Sequence, residues 1–460
     1  MIALRRLSAK GKAGAHFVFL ILWAATINAA QTATQKTGAN QEGAPSVTIR
    51  ANVREVLVPV VVTDKKGHYI TDLKPTDFQV YEDGASQKVV AFSSAPDTMV
   101  LRPDGTTVTH VEPAVPPGFE PKTPNTTPQR TYLICVDTLH SAFANFARVR
   151  QALHKFFEQE RGGDSQYALM ALGRNLTVVR DSTRNPSDIL AAVDDKQFLK
   201  TIQNSEASGI GMEMQRFNEA MGRYCALCGC GAGWLVQVKP GCAGAKADVQ
   251  ASLLRFGTRT LILNQTFLRS LEKLVGAMTG MPTTRTIVFI SDGFNRQPGN
   301  ELYNTLQAAS PGDKSFEFNP LDTQDLLNKV VRLAVANDVR FYTLDSRGLY
   351  TLGSLPGSGW DASSWGGPSE TIDRAMMVTA RQNTDGLAEL ARETGGLFFE
   401  SNNDLLKGIQ RAFADGRQHY VLAYVPSNNA LDGSYRKIQV EVKRPNVHVN
   451  AKPGYWAPKK

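Results

Sequence analysis

The sequence predicts an α/β protein with a doubly wound, mostly parallel sheet that is flanked by antiparallel β segments at both ends. Between residues 130 and 415, short apolar stretches alternate with amphipathic helical stretches. The apolar stretches show no polar alternation, which is typical of strands that are covered on both faces. Residues 47–95 and 416–460 differ, because apolar and polar residues alternate there between tight turns, as in antiparallel strands.

Residues 1–30 have the layout of a secretory signal peptide. Four basic residues precede the apolar run 17–23, and small residues follow up to Ala30. This run is well short of the ~20 residues that a membrane-spanning helix needs. We therefore expect cleavage near residue 30 and a mature protein that is secreted or periplasmic, without a stable membrane span. The alternative is an uncleaved anchor.

The net charge argues against a nucleic-acid partner. The chain has a formal charge of +8, and residues 1–30 contribute four Lys or Arg and no Asp or Glu, so cleavage leaves +4. That charge is small for a chain of this length, and we expect no nucleic acid among its partners.

Three segments precede the central domain. Residues 31–46 are rich in Gln, Thr, Ala and Gly and are expected to form a flexible leader. Residues 47–95 are expected to form a small β domain, with a turn at Asp83-Gly84. Eight prolines then mark 96–129 as a stiff linker.

The central domain is expected at residues 130–415. The apolar runs that end at Asp137, Asp292 and Asp345 each indicate a buried strand, with helical patterns between them. One of the predicted helices covers residues 267–278. Because open parallel sheets bind ligands beyond the carboxyl ends of their strands, these acids mark the edge where a site is expected.

The last segment, residues 416–460, returns to β character. It alternates apolar and polar residues over 436–443, after a turn at 431–433. A small β unit alone exposes sheet edges and one apolar face. We therefore hypothesise that 47–95 and 416–460 pair with each other.

A cysteine-rich insertion at 200–258 interrupts the α/β pattern. It contains Cys225, Cys228, Cys230 and Cys242 within eighteen residues. Such a cluster suits either a zinc thiolate site or two disulfides, and export to an oxidising compartment favours the disulfides. Spacing leaves their connectivity open. Cys135 lies inside an apolar run and is predicted to be a buried free thiol.

Two motifs resemble the von Willebrand factor type A (VWFA) fold: Asp137-Thr-Leu-His-Ser141 after the first buried strand and Ile290-Ser-Asp-Gly293 after a later one. An ordered set of further motifs, between about Val47 and Tyr455, is similar to the acidobacterial VWFA-related domain family. The set comprises Val60–Asp64, Asp77–Gly84, Asp345–Leu349, Thr394–Gly396, Asp432–Ile438 and Gly454-Tyr455.

This resemblance implies a metal-ion-dependent adhesion site in a bacterial protein, in which a partner's carboxylate completes the shell of a Mg²⁺ ion. Asp137, Ser141 and Asp292 match the motif, and Thr266 is the best-placed loop threonine. Leu139 stands where the family has its first serine, so the implied site is incomplete. Mg²⁺ prefers oxygen ligands of this kind. Alternatively, the two acids cap neighbouring helices or bind backbone amides.

We expect a protein-binding or adhesion-type module with a degenerate metal site rather than an enzyme. The sequence contains neither H-E-x-x-H, nor a Walker motif, nor a G-x-S-x-G elbow. The expected partner is a protein, bound through a carboxylate. Two alternatives remain, which are an exported enzyme that uses the cysteine-rich insertion and a metal-free structural scaffold.

Overall fold

The computed structural model of the protein describes residues 55–94, 99–101, 107–109, 130–163, 165–204, 206–230, 238–279, 284–310, 313–349, 369–400 and 404–459. The predicted signal peptide and the predicted leader lie outside these residues, as does most of the 96–129 linker.

The N-terminal part consists of short strands. They are β1 (Val56–Asp64), β2 (Phe78–Glu82), β3 (Ala85–Gln87), β4 (Val89–Ser94), β5 (Met99–Leu101) and β6 (Thr107–Thr109). The C-terminal part contains β13 (Tyr420–Tyr424), β14 (Tyr435–Val442), β15 (Val447–Ala451) and β16 (Gly454–Trp456).

The central part alternates strands and helices. Its elements are β7 (Arg130–Asp137), α1 (Phe143–Gln159), β8 (Ser165–Leu172), β9 (Leu176–Thr183), α2 (Pro186–Val193), α3 (Lys196–Gln203), α4 (Ala207–Cys228), α5 (Cys242–Ala277), β10 (Thr284–Ser291), α6 (Asn300–Ala309), α7 (Gln324–Ala336), β11 (Val339–Asp345), α8 (Ser369–Glu393), β12 (Phe398–Phe399) and α9 (Leu405–Arg417). Among the helices of the described segments, none combines the length and the apolar character that a bilayer span requires.

The central sheet has the strand order β12-β11-β10-β7-β8-β9. Neighbouring strands are parallel, except that β8 and β9 are antiparallel. Strands β7 and β11 are buried along their whole length, because helices cover both faces of the sheet. The predicted mixed α/β class with a mostly parallel sheet is therefore confirmed.

Side chains of β7 alternate between two hydrophobic cores. Tyr132 and Ile134 pack with residues of α1, α2, α3 and α9. Leu133 and Cys135 point to the opposite face, where α5, α7 and α8 pack. Cys135 is a buried free thiol, as predicted. Burial raises the pKa of this thiol, so it stays protonated and unreactive.

The cysteine-rich insertion is a helical hairpin. Helices α4 and α5 pack against each other and, with α6, surround a third core that includes Phe217, Tyr224 and Phe256. Helix α5 has 36 residues and is therefore about 54 Å long, reaching from the insertion into the core of the sheet. The predicted helix 267–278 is only the end of this longer helix, because no proline interrupts it. Residue 258, the expected end of the insertion, lies within the helix.

The N-terminal and C-terminal strands form one β sandwich. Its two sheets have the orders β15-β1-β13-β4-β5-β6 and β16-β14-β2-β3. Strand β1 pairs with β13 and β15, and β2 pairs with β14, all antiparallel. Val58, Val80, Phe92 and Leu422 belong to the core that the two sheets share. The hypothesis that the two β segments pair is confirmed.

Candidate functional site

The predicted site residues lie where the strand order of the central sheet reverses. From β7 the chain continues to β8 on one side and later enters β10 on the other side. Open α/β sheets bind ligands at the carboxyl edge of such a position. Asp137 is the last residue of β7, Asp292 follows β10 directly, and Ser141 belongs to the loop between β7 and α1.

The Asp137 carboxylate is saturated by hydrogen bonds. Its Oδ1 accepts the backbone N–H groups of Leu139 (2.8 Å) and His140 (3.0 Å). Its Oδ2 accepts the Ser291 hydroxyl (2.7 Å) and lies 2.9 Å from Nδ1 of His140. These four contacts use the four lone-pair sites of a carboxylate. Because Asp137 is fully buried, nothing outside the protein reaches either oxygen.

Asp137 and His140 form a buried ion pair. The carbonyl oxygen of the Asn264 amide lies 2.9 Å from Nε2 of His140, while the Asn264 amino group donates to the carbonyl of Asn295 (2.7 Å). That orientation makes Asn264 Oδ1 an acceptor, so both imidazole nitrogens carry protons. Burial disfavours the imidazolium, but the Asp137 carboxylate outweighs it and raises the pKa of His140. Burial likewise acts to raise the pKa of Asp137, but the charge of His140 lowers it.

The Asp292 carboxylate accepts hydrogen bonds from residues at the start of helix α1. Its Oδ2 accepts the backbone N–H of Ala142 (2.8 Å) and the side-chain amide of Asn145 (2.7 Å), and its Oδ1 accepts the Ser346 hydroxyl. Ser141 Oγ accepts the backbone N–H of Asp292 (3.1 Å). Burial raises the pKa of Asp292, although these hydrogen bonds act to lower it. This arrangement matches the alternative in which the acid supports backbone amides.

Thr266 and Leu139 are not placed as metal ligands. Thr266 was expected in a loop before a helix, but it lies inside α5 and donates to the carbonyl of Ile262 (2.8 Å). The residue of α5 that reaches the site is Asn264, and residues two apart on a helix point in different directions. Leu139 is 2% exposed and packs in the core beneath α5.

These residues do not fit a Mg²⁺ ion in this arrangement. The carboxylate oxygens of Asp137 and Asp292 are occupied by donors from the protein. A hexacoordinate ion needs several oxygens that face one shared position. Within the described residues, no group of three or more His, Cys, Asp or Glu side chains is arranged to hold a metal ion.

A polar chain that none of the sequence motifs predicted continues beyond Asp137. Through His140 and Asn264 it reaches Asn295, whose side-chain amide donates to Oε2 of Glu301 (2.8 Å) at the start of α6. Burial raises the pKa of Glu301 to about 7. The signal in the sequence is Asn264, a polar residue one helical turn before Phe267 in the buried and largely apolar part of α5. This polar chain connects the edge of the sheet to α6, which packs against the helical insertion.

The four cysteines of the insertion form two disulfides, Cys225–Cys230 and Cys228–Cys242. The second bond joins the last residue of α4 to the first residue of α5. The prediction of disulfides is confirmed, and the structure supplies the connectivity that spacing left open.

The sequence matches no protein-family model and no curated protein. Among solved structures, it is similar to the conserved hypothetical protein BatB from Bacteroides thetaiotaomicron, with 8% identity, 62% of this chain and 98% of that chain covered, and a TM-score of 0.26. Proximal thread matrix protein 1 from the mussel byssus is 10% identical, with 70% of this chain and 49% of that chain covered and a TM-score of 0.27. This chain therefore spans about half of that structure. The PilB minor pilin from Streptococcus sanguinis gives 8% identity, coverages of 72% and 88%, and a TM-score of 0.23. Values at this level identify neither a fold nor a function.

Proposed function

We propose that the chain is an extracytoplasmic protein-binding module, VWFA-like in organisation, that recognises its partner without a metal ion. The observation that carries the proposal is the closed hydrogen-bond network at the edge of the sheet, in which both Asp137 and Asp292 are satisfied by the protein itself. The position of these motifs beside β7 and β10 supports the VWFA-like organisation. Recognition then depends on surface side chains.

The same network argues against an enzyme at this edge. A general base needs a lone pair within reach of a substrate proton. Asp137 and His140 form an acid–imidazole pair like those of some catalytic sites. However, Nε2 of His140 is hydrogen-bonded to Asn264, and the pair is buried, so neither group can reach a substrate proton. The insertion cysteines are bonded to each other, so none of them is a thiolate nucleophile in this state.

The disulfides support an extracytoplasmic location. Such bonds persist in secreted and periplasmic proteins and are reduced in most cytosols. The export signal expected at residues 1–30 lies outside the described residues. N-terminal sequencing of extracytoplasmic material should find a mature chain that begins near Gln31, and an intact Met1 would reject cleavage.

Affinity capture tests the function. The mature chain, with its disulfides intact, is immobilised and exposed to envelope and medium proteins of the exporting cell. We expect a specific protein to be enriched over a heat-unfolded control. Once purified, this protein should bind equally well in Mg²⁺ and in EDTA.

Two results would contradict the proposal. Binding that is lost in EDTA and restored by Mg²⁺ would establish a metal-dependent adhesion site. Turnover of peptide, ester or disulfide substrates in the absence of any captured partner would favour the enzyme alternative.

A further inference from the structure

A surface cleft of about 830 Å³ lies along the outer face of α5. Its lining includes Arg255, Arg259, Leu254 and Ile262 from the helix, together with Arg174 from the turn between β8 and β9. None of these residues belongs to the network around Asp137. The cleft is therefore a second feature of the molecule, on the helix that joins the insertion to the sheet.

The apolar part of the cleft is open to solvent. Leu254 is 48% exposed and Ile262 is 57% exposed. They lie eight residues apart on one helix, which corresponds to about 12 Å along its axis. An apolar side chain of a partner placed between them would remove apolar surface of both molecules from water.

The charged part of the cleft has more cations than anions. Glu206 Oε1 accepts from Nε of Arg174 (3.0 Å), and Glu206 Oε2 accepts from Nη2 of Arg259 (3.2 Å). Nη1 of Arg259 also lies 3.6 Å from Oε1 of Glu213. A guanidinium has five N–H donors, so both arginines retain donors that these acids do not use. Arg255 is exposed and forms no ion pair with the described residues. The excess of positive charge is complementary to carboxylates.

The position of Arg259 is set by α4. A Cβ atom at Gly209 would lie 2.3 Å from Nη2 of Arg259 and 3.1 Å from its Cζ. The guanidinium therefore lies against the backbone of α4 at a residue without a side chain. Contact with Glu206 and Gly209 holds one cation of the cleft in place before any partner arrives, which lowers the entropic cost of binding.

We propose that this cleft docks an acidic segment of a partner protein, with an apolar side chain between Leu254 and Ile262 and carboxylates on Arg255 and Arg259. The proposal rests on the protein-binding function proposed above. The lining of α5 runs from Leu254 to Thr266, which is about 18 Å of helix. That length exceeds a single small anion and matches several residues of a peptide. The guanidinium group of an arginine binds a carboxylate through two parallel N–H···O hydrogen bonds.

The test uses a fluorescein-labelled 14-residue peptide in which Glu residues surround a central pair of Leu residues, with the mature, disulfide-bonded chain as the receptor. The comparison peptide has every Glu replaced by Gln. Fluorescence anisotropy should show saturable binding of the acidic peptide, at least tenfold tighter than that of the Gln peptide and weaker at high salt. Equal affinity of the two peptides, or no saturable binding of the acidic one, would overturn the proposal.

Variants locate the binding to the cleft. Arg255→Gln and Ile262→Gln should each weaken binding of the acidic peptide about fivefold or more, because both side chains are exposed and leave the core intact. Arg269→Gln is the matched control, since Arg269 is also exposed on α5 but lies outside the cleft. It should change the affinity less than twofold. An equal loss in the Arg269 variant would mean that the helix attracts anions without a defined site, and displacement of the peptide by equimolar free glutamate would assign the cleft to a small carboxylate instead.

The cleft and the proposed function can fail separately. If the wild-type chain captures a partner and the Arg255→Gln chain captures it equally well, the function stands and the cleft proposal is wrong. If the wild-type chain captures no partner while the peptide binds in an Arg255-dependent manner, the cleft stands and the function proposal is wrong.

Discussion

The hydroxyl of Tyr424 donates a 2.6 Å hydrogen bond to Oε2 of Glu82, across 342 residues of sequence. Tyr455 donates to the same oxygen (2.9 Å), and Nη1 of Arg436 lies 3.7 Å from the other carboxylate oxygen. Glu82 is 2% exposed and Arg436 is 1% exposed. A buried ion pair therefore connects the N-terminal and C-terminal strands inside the sandwich.

Removal of Glu82 should destabilise the protein strongly. We expect Glu82→Ala to lower the free energy of unfolding by about 3 kcal/mol, because the buried Arg436 guanidinium then keeps only the half-exposed Asp432 carboxylate, 3.4 Å away, as an acidic neighbour. Tyr424→Phe removes one hydrogen bond to this buried carboxylate and should cost about 2 kcal/mol. Denaturant unfolding measures both variants. Small and equal costs would mean that the pair contributes little to joining the two segments.

Leu139→Ser should destabilise the protein rather than create a metal site. Leu139 is packed in the core, so we expect Leu139→Ser to lower the free energy of unfolding by about 4 kcal/mol, through the cavity and the buried hydroxyl. Calorimetric titration with Mg²⁺ should give only heats of dilution for the wild type and for the variant. Leu431→Ser, at an exposed leucine, is the stability control. Saturable Mg²⁺ binding by a stable Leu139→Ser protein would contradict this prediction.

Glu301 should make stability depend on pH near neutrality. Burial raises the pKa of Glu301 from 4.5 to about 7 in the folded protein. Between pH 4.5 and pH 7, the carboxyl group is therefore protonated in the folded state and ionised in the unfolded state. The stabilisation is complete below pH 4.5 and is lost as the pH rises through 7. The loss is on the order of 3 kcal/mol.

Glu301→Gln tests this dependence, because glutamine mimics the protonated acid and still accepts from Asn295. The difference in unfolding free energy between the variant and the wild type should grow in favour of the variant from pH 5 to pH 8. Glu158→Gln, at an exposed acid on α1, is the control and should leave the profile unchanged. Parallel pH profiles of the wild type and Glu301→Gln would show that Glu301 stays charged.

The two disulfides should contribute unequally to stability. Cys228–Cys242 closes a loop with a sequence separation of 14, and Cys225–Cys230 closes one of 5. Loop-closure entropy predicts a loss of about 3 kcal/mol for the Cys228→Ser/Cys242→Ser pair and about 2 kcal/mol for the Cys225→Ser/Cys230→Ser pair. Thermal unfolding of the two variants measures the order. A larger loss for the shorter loop would contradict the entropic account, and partial reduction with alkylation checks the connectivity independently.

Local patterns determined the fold class and the chemistry of the insertion. The unbroken apolar run of β7 predicts a strand that is covered on both faces, and burial along its whole length agrees with this. The cysteines of the insertion likewise predicted disulfides without any structure. Periodicity and composition are properties of neighbouring residues, which is why the sequence alone carries them.

The tertiary structure decided the state of the site. His140 and Asn264 are separated by 124 residues, and their contact closes the network around Asp137. Thr266 was predicted in a loop, because the sequence pattern does not show that α5 begins at Cys242. A buried carboxylate must be satisfied by some donor, since an unpaired one costs several kcal/mol. The sequence motif identifies the carboxylate. Which hydrogen-bond donors satisfy it depends on segments that are distant in sequence and that only the fold brings together.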